Sequence, residues 1–337
     1  MKGKKIRVLI SLSFFLLYAH FSLAQKTDKV YLKNGDIITG EIMSMKLAML
    51  TFKMDGPGTI SIKWEEVVRF KSDKIFELTL KWGTIVVAQA DSAFYEKYHA
   101  TIDDIVEIFP IKDKFLRRLI GDFNLGFNYS KSSQVLQFNV LLNVNYKIPK
   151  WEYAVKFSNV VTNNGTDSTT TKKQDAFFSV MKDLDRKFYL STTLGWQQNT
   201  ELGLNNRFSF VGAAGLATIS DNHNRMLVAT GLSVNAEQSV QNPTYTTNLD
   251  AVANLSYKRF YYNTPKLTIN ADFSIYPSLT DWGRVRLDGS LYVYVEIFKD
   301  FTIGMNFYDT YDSRPPEGAL SKNDYGVNLT VGYTFGK

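Results

Sequence analysis

The chain closes on Tyr325-Gly326-Val327-Asn328-Leu329-Thr330-Val331-Gly332-Tyr333-Thr334-Phe335-Gly336-Lys337, and the architecture turns on what the two faces of this stretch meet. In a strand, successive side chains point to opposite faces. Tyr325, Val327, Leu329, Val331, Tyr333 and Phe335 therefore share one face, while Gly326, Asn328, Thr330, Gly332 and Thr334 share the other. A strand resting on a soluble core alternates in this way, and so does a strand with lipid on one side and water on the other. The residues upstream separate the two.

From Asp113 onward the same alternation recurs in segments of about ten to fourteen residues, twelve in all, separated by turn-forming clusters. Phe123, Leu125, Phe127 and Tyr129 make one apolar face. Leu136, Phe138, Val140, Leu142, Val144 and Tyr146 make the next, and Trp151, Tyr153, Val155 and Phe157 the third. The fourth, about Lys173 to Leu184, is ambiguous because Phe177 and Phe178 point opposite ways. Three features favour lipid. The segments are about twice the usual strand length and match a tilted membrane crossing. Tight turns such as Lys147-Ile148-Pro149-Lys150 alternate with longer polar loops such as Thr162 to Lys172 and Asp312 to Asn323. Aromatics gather at the segment ends: Trp151, Tyr153, Tyr257, Phe301, Tyr333 and Phe335 on one side, and Tyr129, Trp196, Phe208 and Phe307 on the other. An even number of strands brings both ends of this region to one side, and closure leaves no edge unpaired in lipid.

The first residues read differently. Lys2, Lys4, Lys5 and Arg7 precede the apolar run Val8 to Tyr18 and then Ser22-Leu23-Ala24, the pattern of a secretory signal peptide over residues 1–24. Its four charges leave the mature chain near +2 of the formal +6, so the basic balance is no argument for a nucleic-acid partner. The 337 residues include no cysteine, so neither a disulfide framework nor an acylated N-terminal cysteine is expected. Residues 25–112 carry an internal echo. Leu32-Lys33-Asn34-Gly35-Asp36 returns 48 positions later as Leu80-Lys81-Trp82-Gly83-Thr84, and Trp64-Glu65-Glu66-Val67-Val68-Arg69-Phe70 returns as Ile102-Asp103-Asp104-Ile105-Val106-Glu107-Ile108. Glu65, Glu66, Asp103 and Asp104 read as exposed acids in turns. The echo suggests a small duplicated SH3-like or Sm-like β-domain with units at about 28–70 and 73–111. The fold expected is therefore all-β: a twelve-stranded antiparallel outer-membrane β-barrel over residues 113–337, preceded by that domain.

The mature chain, from Val30-Tyr31-Leu32-Lys33-Asn34-Gly35-Asp36 with Ile38-Thr39-Gly40 through the alternating region, resembles domain-of-unknown-function family 481, barrel proteins related to the salt-induced outer-membrane proteins. The resemblance implies an outer-membrane location and brings no catalytic residues. The last strand is similar to the assembly signal of outer-membrane barrels, with Tyr325, Val327, Leu329, Val331, Tyr333 and Phe335 as its candidates, although Gly336 and Lys337 follow the final aromatic.

Chemistry is sparsely marked. Of three histidines, His20 falls in the signal peptide, His99 beside Tyr98, and His223 in the turn Asp221-Asn222-His223-Asn224. No nucleophile-and-base pair, transition-metal ligand set or cofactor motif stands out, so a non-enzymatic protein without cofactor or metal is expected. The polar faces carry Lys156, Arg207, Asp250, Asp272, Arg286, Asp288, Tyr292 and Tyr294 as candidate lumen residues, together with Asp122, Glu152, Glu296, Asp324, Lys258, Tyr189 and Tyr308. Either they line a narrow hydrated passage, or opposed charges pair and the tyrosines fill the interior. The function expected is a passive channel or narrow pore for small polar solutes or ions. The alternative is a non-conducting structural or stress-response envelope protein whose periplasmic domain binds a partner. The partners expected are outer-membrane lipid, the barrel-assembly machinery and an unidentified periplasmic molecule. The location expected is the outer membrane of a Gram-negative bacterium, with the N-terminal domain in the periplasm.

Overall fold

The computed structural model describes residues 27–335 apart from 47, 112–117, 131–134, 166–168, 185–186, 262–265 and 299. The signal peptide, residues 112–117 at the expected domain junction, Gly336 and Lys337 lie outside the described residues, as does the side chain of Tyr129.

The alternating region closes on itself. Strands β9 (Leu119–Ser130), β10 (Val135–Ile148), β11 (Trp151–Asn164), β12 (Thr169–Asp183), β13 (Phe188–Asn199) and β14 (Leu204–Ser220) form the first half. Strands β15 (Asn224–Ser239), β16 (Thr246–Tyr261), β17 (Lys266–Pro277), β18 (Val285–Phe298), β19 (Phe301–Asp312) and β20 (Asn323–Phe335) form the second. Each pairs antiparallel with its sequence neighbours, and β20 pairs with β9, so the barrel has twelve strands. The apolar alternation points outward: Leu329 is 62% exposed and Phe127 64%. A band of such residues around the whole wall is the surface of a barrel solvated by lipid, because a water-soluble protein buries it. Phe178 joins this band beside Val155 and Leu194, while Phe177 faces the lumen, which resolves the ambiguous fourth segment. The expected loop from Thr162 to Lys172 is mostly ladder: Asn164 pairs with Thr169, and the β-branched threonines carry β11 and β12 past the length a crossing needs.

The upstream residues build one curled eight-stranded sheet: β1 (Asp28–Leu32), β2 (Ile37–Lys46), β3 (Met49–Met54), β4 (Gly58–Lys63), β5 (Val67–Lys71), β6 (Ile75–Leu80), β7 (Ile85–Gln89) and β8 (Ile105–Pro110). A short α-helix, α1 (Ser92–Tyr98), lies between β7 and β8 and is capped by the Asp91 carboxylate, which accepts from the Phe94 N–H at 2.9 Å. The two echoing segments are built alike. The N–H of Leu32 donates to Asp36 O and that of Gly35 to Leu32 O, as Leu80 does to Thr84 O and Gly83 to Leu80 O. Gly35 and Gly83 both sit at φ +89°, a conformation that costs a residue with a Cβ. The segments are not separate bodies: β2 pairs with β8, and Phe52, Trp64, Phe76, Leu78 and Ile108 belong to one core. Asp104, expected to be an exposed acid, is buried. It accepts from Thr101 N–H at 2.8 Å and Thr101 Oγ1 at 2.7 Å and pairs with Lys81.

Candidate functional site

Both ends of β10, β12, β14, β16 and β18 are now fixed, and with them two rims. One carries the tight turns, where β10 meets β11 and β14 meets β15; the other carries loops 200–203, 240–245, 278–284 and 313–322. Between the rims lies a cavity of about 570 Å³, reaching from Tyr189 and Arg225 near the turns to Asp312 and Pro316 near the loops. Lys156, Arg207, Asp272, Arg286, Asp288 and Tyr292 line it. Asp250 and Tyr294 do not: Asp250 is buried behind Arg286, and Tyr294 is outside the cavity lining. Lys156 lies over the Tyr292 ring at 5.7 Å, and Lys173 over that of Tyr308 at 4.3 Å. Asp122 accepts from Asn124 and Asn143, Glu296 pairs with Lys266, and Asp324 accepts from Asn199.

The lumen is less polar than its sequence pattern implies. Leu141, Val160, Val211, Leu227 and Val252 also line the cavity. They occur in runs such as Val140-Leu141-Leu142 and Val160-Val161, where both faces are apolar and alternation carries no signal.

Ion pairs cross the loop rim. Arg284, on loop 278–284, reaches Asp312 on β19, with Nη2 to Oδ2 at 2.6 Å and Nε to Oδ1 at 3.1 Å. The same guanidinium pairs with Glu237 on β15, which also receives Arg207 from β14 at 2.8 Å and Asn248 Nδ2 at 3.1 Å. Arg286 pairs with Asp250, which accepts from Asn235 at 2.7 Å. Three arginines thus meet three carboxylates, all buried, and every guanidinium has a carboxylate partner. Above them loop 313–322 crosses the opening. The N–H groups of Leu320 (2.9 Å) and Ser321 (3.3 Å) donate to Glu201 O in the loop joining β13 and β14. β13 and β20 stand five steps apart round a ring of twelve, so these bonds span the mouth.

The upstream sheet meets the turn rim. Glu77 on β6 is 1% exposed; its Oε2 accepts from the Lys150 N–H at 2.7 Å, and its Oε1 lies 3.4 Å from Lys147 Nζ. Glu107 on β8 pairs with Lys147 at 3.0 Å and with Arg225 at 3.9 Å. Lys147 is on β10 and Arg225 on β15, again five steps apart, so Glu107 lies across the opening. Burial pushes the Glu107 carboxyl up, but Lys147 and Arg225 together hold it at about 2, well below its usual 4.5. Gly83 completes the contact: a Cβ there would overlap Lys187 in the turn before β13.

Sequence reading missed Glu77, Glu107, Lys147 and Arg225 as one group, and Glu237, Arg284 and Asp312 as another. Glu77 and Glu107 alternate with core residues as any exposed strand acid does, and Arg284 follows Gly283 outside every strand. Nothing local distinguishes them. The two remaining histidines are structural: His99 ends α1 at φ +47°, and the N–H of His223 donates to Asp221 Oδ1 at 2.7 Å.

Among solved structures the barrel is similar to the NanC porin, at 11% identity and a TM-score of 0.40 over 64% of this chain and 98% of that one. It is also similar to the translocator domain of the autotransporter NalP from Neisseria meningitidis, at 13% identity and 0.36 over 64% and 88%. A third is an anion-selective porin from Comamonas acidovorans, at 7% and 0.25 over 64% and 98%. Likenesses at this level say nothing of a solute or a partner. Comparison with curated proteins finds no match. The family described as "Protein of unknown function, DUF481" matches residues 123–335, most of the chain and nearly all of its barrel. The chain is therefore a member of the DUF481 family, folded as a twelve-stranded outer-membrane β-barrel with a separate N-terminal sheet domain.

Proposed function

We propose that this barrel is a gated passage for small polar solutes or ions, closed at rest, with its turn rim and N-terminal domain on the periplasmic side. One observation carries the reading: a connected interior of about 570 Å³ is bounded at both ends by ion pairs and hydrogen bonds instead of by a packed apolar core. Such a volume is in the range of about 300–1,000 Å³ typical of small-molecule sites. Contacts between charged groups can exchange for water as they part, whereas a filled core cannot open without exposing apolar surface. The same closures support a second reading, a non-conducting envelope protein whose N-terminal domain docks a partner.

Swelling of vesicles that hold the refolded full chain tests the first reading. Urea and glycerol are expected to enter slowly, and an oligosaccharide too large for the cavity to be excluded. Vesicles that admit nothing, even when both rims have been released by substitution, would favour the second.

A further inference from the structure

The sheet face that meets the barrel extends beyond it. On β6, Ile75, Glu77 and Thr79 share one face, while Phe76, Leu78 and Leu80 turn into the core. The register places Val87 of β7 opposite Glu77, and Ile85 opposite Thr79. Glu77 is covered by Lys147 and Lys150, yet Val87 beside it is 50% exposed and Ile75 56%. Glu77 meets Lys147 and Lys150 and Gly83 meets Lys187, so the uncovered residues of this face stand beside the turn rim. β7 is the last strand of the sheet, and the hairpin that joins it to β6 carries Trp82, 40% exposed, next to the Gly83 that rests on Lys187.

What lies alongside them is the lipid-facing band. Lys150, bonded to Glu77, precedes Trp151, whose ring stacks on Tyr153 at 6.4 Å; Lys187 precedes Phe188, which points outward. Ile85, Gly83 and Phe188 border one shared cleft. The exposed apolar margin of the domain is thus continuous with the aromatic end of the barrel wall. An apolar margin with a tryptophan at its tip suits the headgroup and upper acyl layer.

We propose that Ile75, Val87 and Trp82 form a shelf that lies in the lipid leaflet at the turn end of the barrel. The inference rests on the barrel spanning a membrane and on the docked domain, and is independent of whether the lumen conducts. Because the chain has no cysteine, V87C, I75C and V228C each give one site for a nitroxide label, the last on the outward face of β15. The full chain would be refolded into vesicles of phosphatidylethanolamine and phosphatidylglycerol, and power-saturation electron paramagnetic resonance read with oxygen and a water-soluble nickel chelate. Labels at Val87 and Ile75 are expected to favour oxygen, at a shallower depth than the label at Val228. Oxygen preference at Val228 with nickel preference at Val87 and Ile75 overturns the shelf and leaves the barrel standing. Nickel preference at all three overturns both. A label at Val87 shielded from both reagents means that another protein strand covers edge strand β7, and this too overturns the lipid assignment.

Discussion

Replacing Arg284 by alanine is expected to make brief, discrete openings more numerous in a barrel that stays mostly closed. Arg284 joins Glu237 on β15 to Asp312 on β19, and its removal leaves two buried carboxylates that Arg207 alone cannot neutralise. Breaking a buried pair by removing one partner costs about 3–5 kcal/mol, because the remaining charge is stranded in a poor solvent. The loop rim relieves that cost by admitting water and parting. Arg284→Lys is expected to fall between wild type and Arg284→Ala. Lysine keeps the charge, but it cannot hold both carboxylates with a planar fork. Single-channel recording of the two variants checks the order. Equal closure in both would mean that loop 313–322, held at Glu201, closes the mouth without the arginine.

Substituting Glu107 by glutamine is expected to release the N-terminal sheet from the turn rim. The carboxylate faces Lys147 and Arg225 from opposite walls, and a neutral amide in its place would take this partner from Arg225 and leave Lys147 with Glu77 alone. A loss of about 3 kcal/mol in docking lowers the docked population roughly 100-fold. Spin–spin distances between a label on the domain and one on the barrel would read this directly. The same contact sets a pH limit. A carboxyl held at about 2 when docked, against 4.5 free, contributes fully above pH 4.5 and loses its contribution as pH falls through 2. The wild-type distance is therefore expected to persist at pH 4 and to broaden near pH 2, whereas Glu107→Gln gives the broad distribution at neutral pH. A distance unchanged by substitution and by acid would show that the contacts of Glu77 with Lys147 and Lys150 and the contact at Gly83 hold the domain in place without Glu107.

Both predictions concern parts that the sequence conceals. The barrel was legible because lipid imposes one period on strand after strand: Tyr325 to Phe335 alone fit either solvent, and the recurrence upstream separated them, although Phe177 and Phe178 blur the fourth segment. Strand ends were less legible where polar residues prolong a ladder, as Thr169 to Lys173 do beside Val160 to Asn164. The lumen was half legible. Lys156, Asp272 and Asp288 alternate with apolar neighbours, but Leu141 and Val160 stand in runs with no period. The closures were not legible at all. Glu107 meets Arg225 and Arg284 meets Glu237 only because ring closure and the upstream sheet bring distant positions together. A surface acid and an acid that pairs across the rim look alike along the chain.

If one interior is closed separately at each end, planar-bilayer recordings of Arg284→Ala combined with Glu107→Gln should show it. Rare openings are expected in wild type, and more in either single variant. The double variant is expected to hold a sustained conductance beyond the sum of the singles, because two closures in series must both part. A double variant that folds, spans the bilayer and stays silent would rule out the two-gate interior, and the chain would then be a closed barrel whose N-terminal domain carries its function.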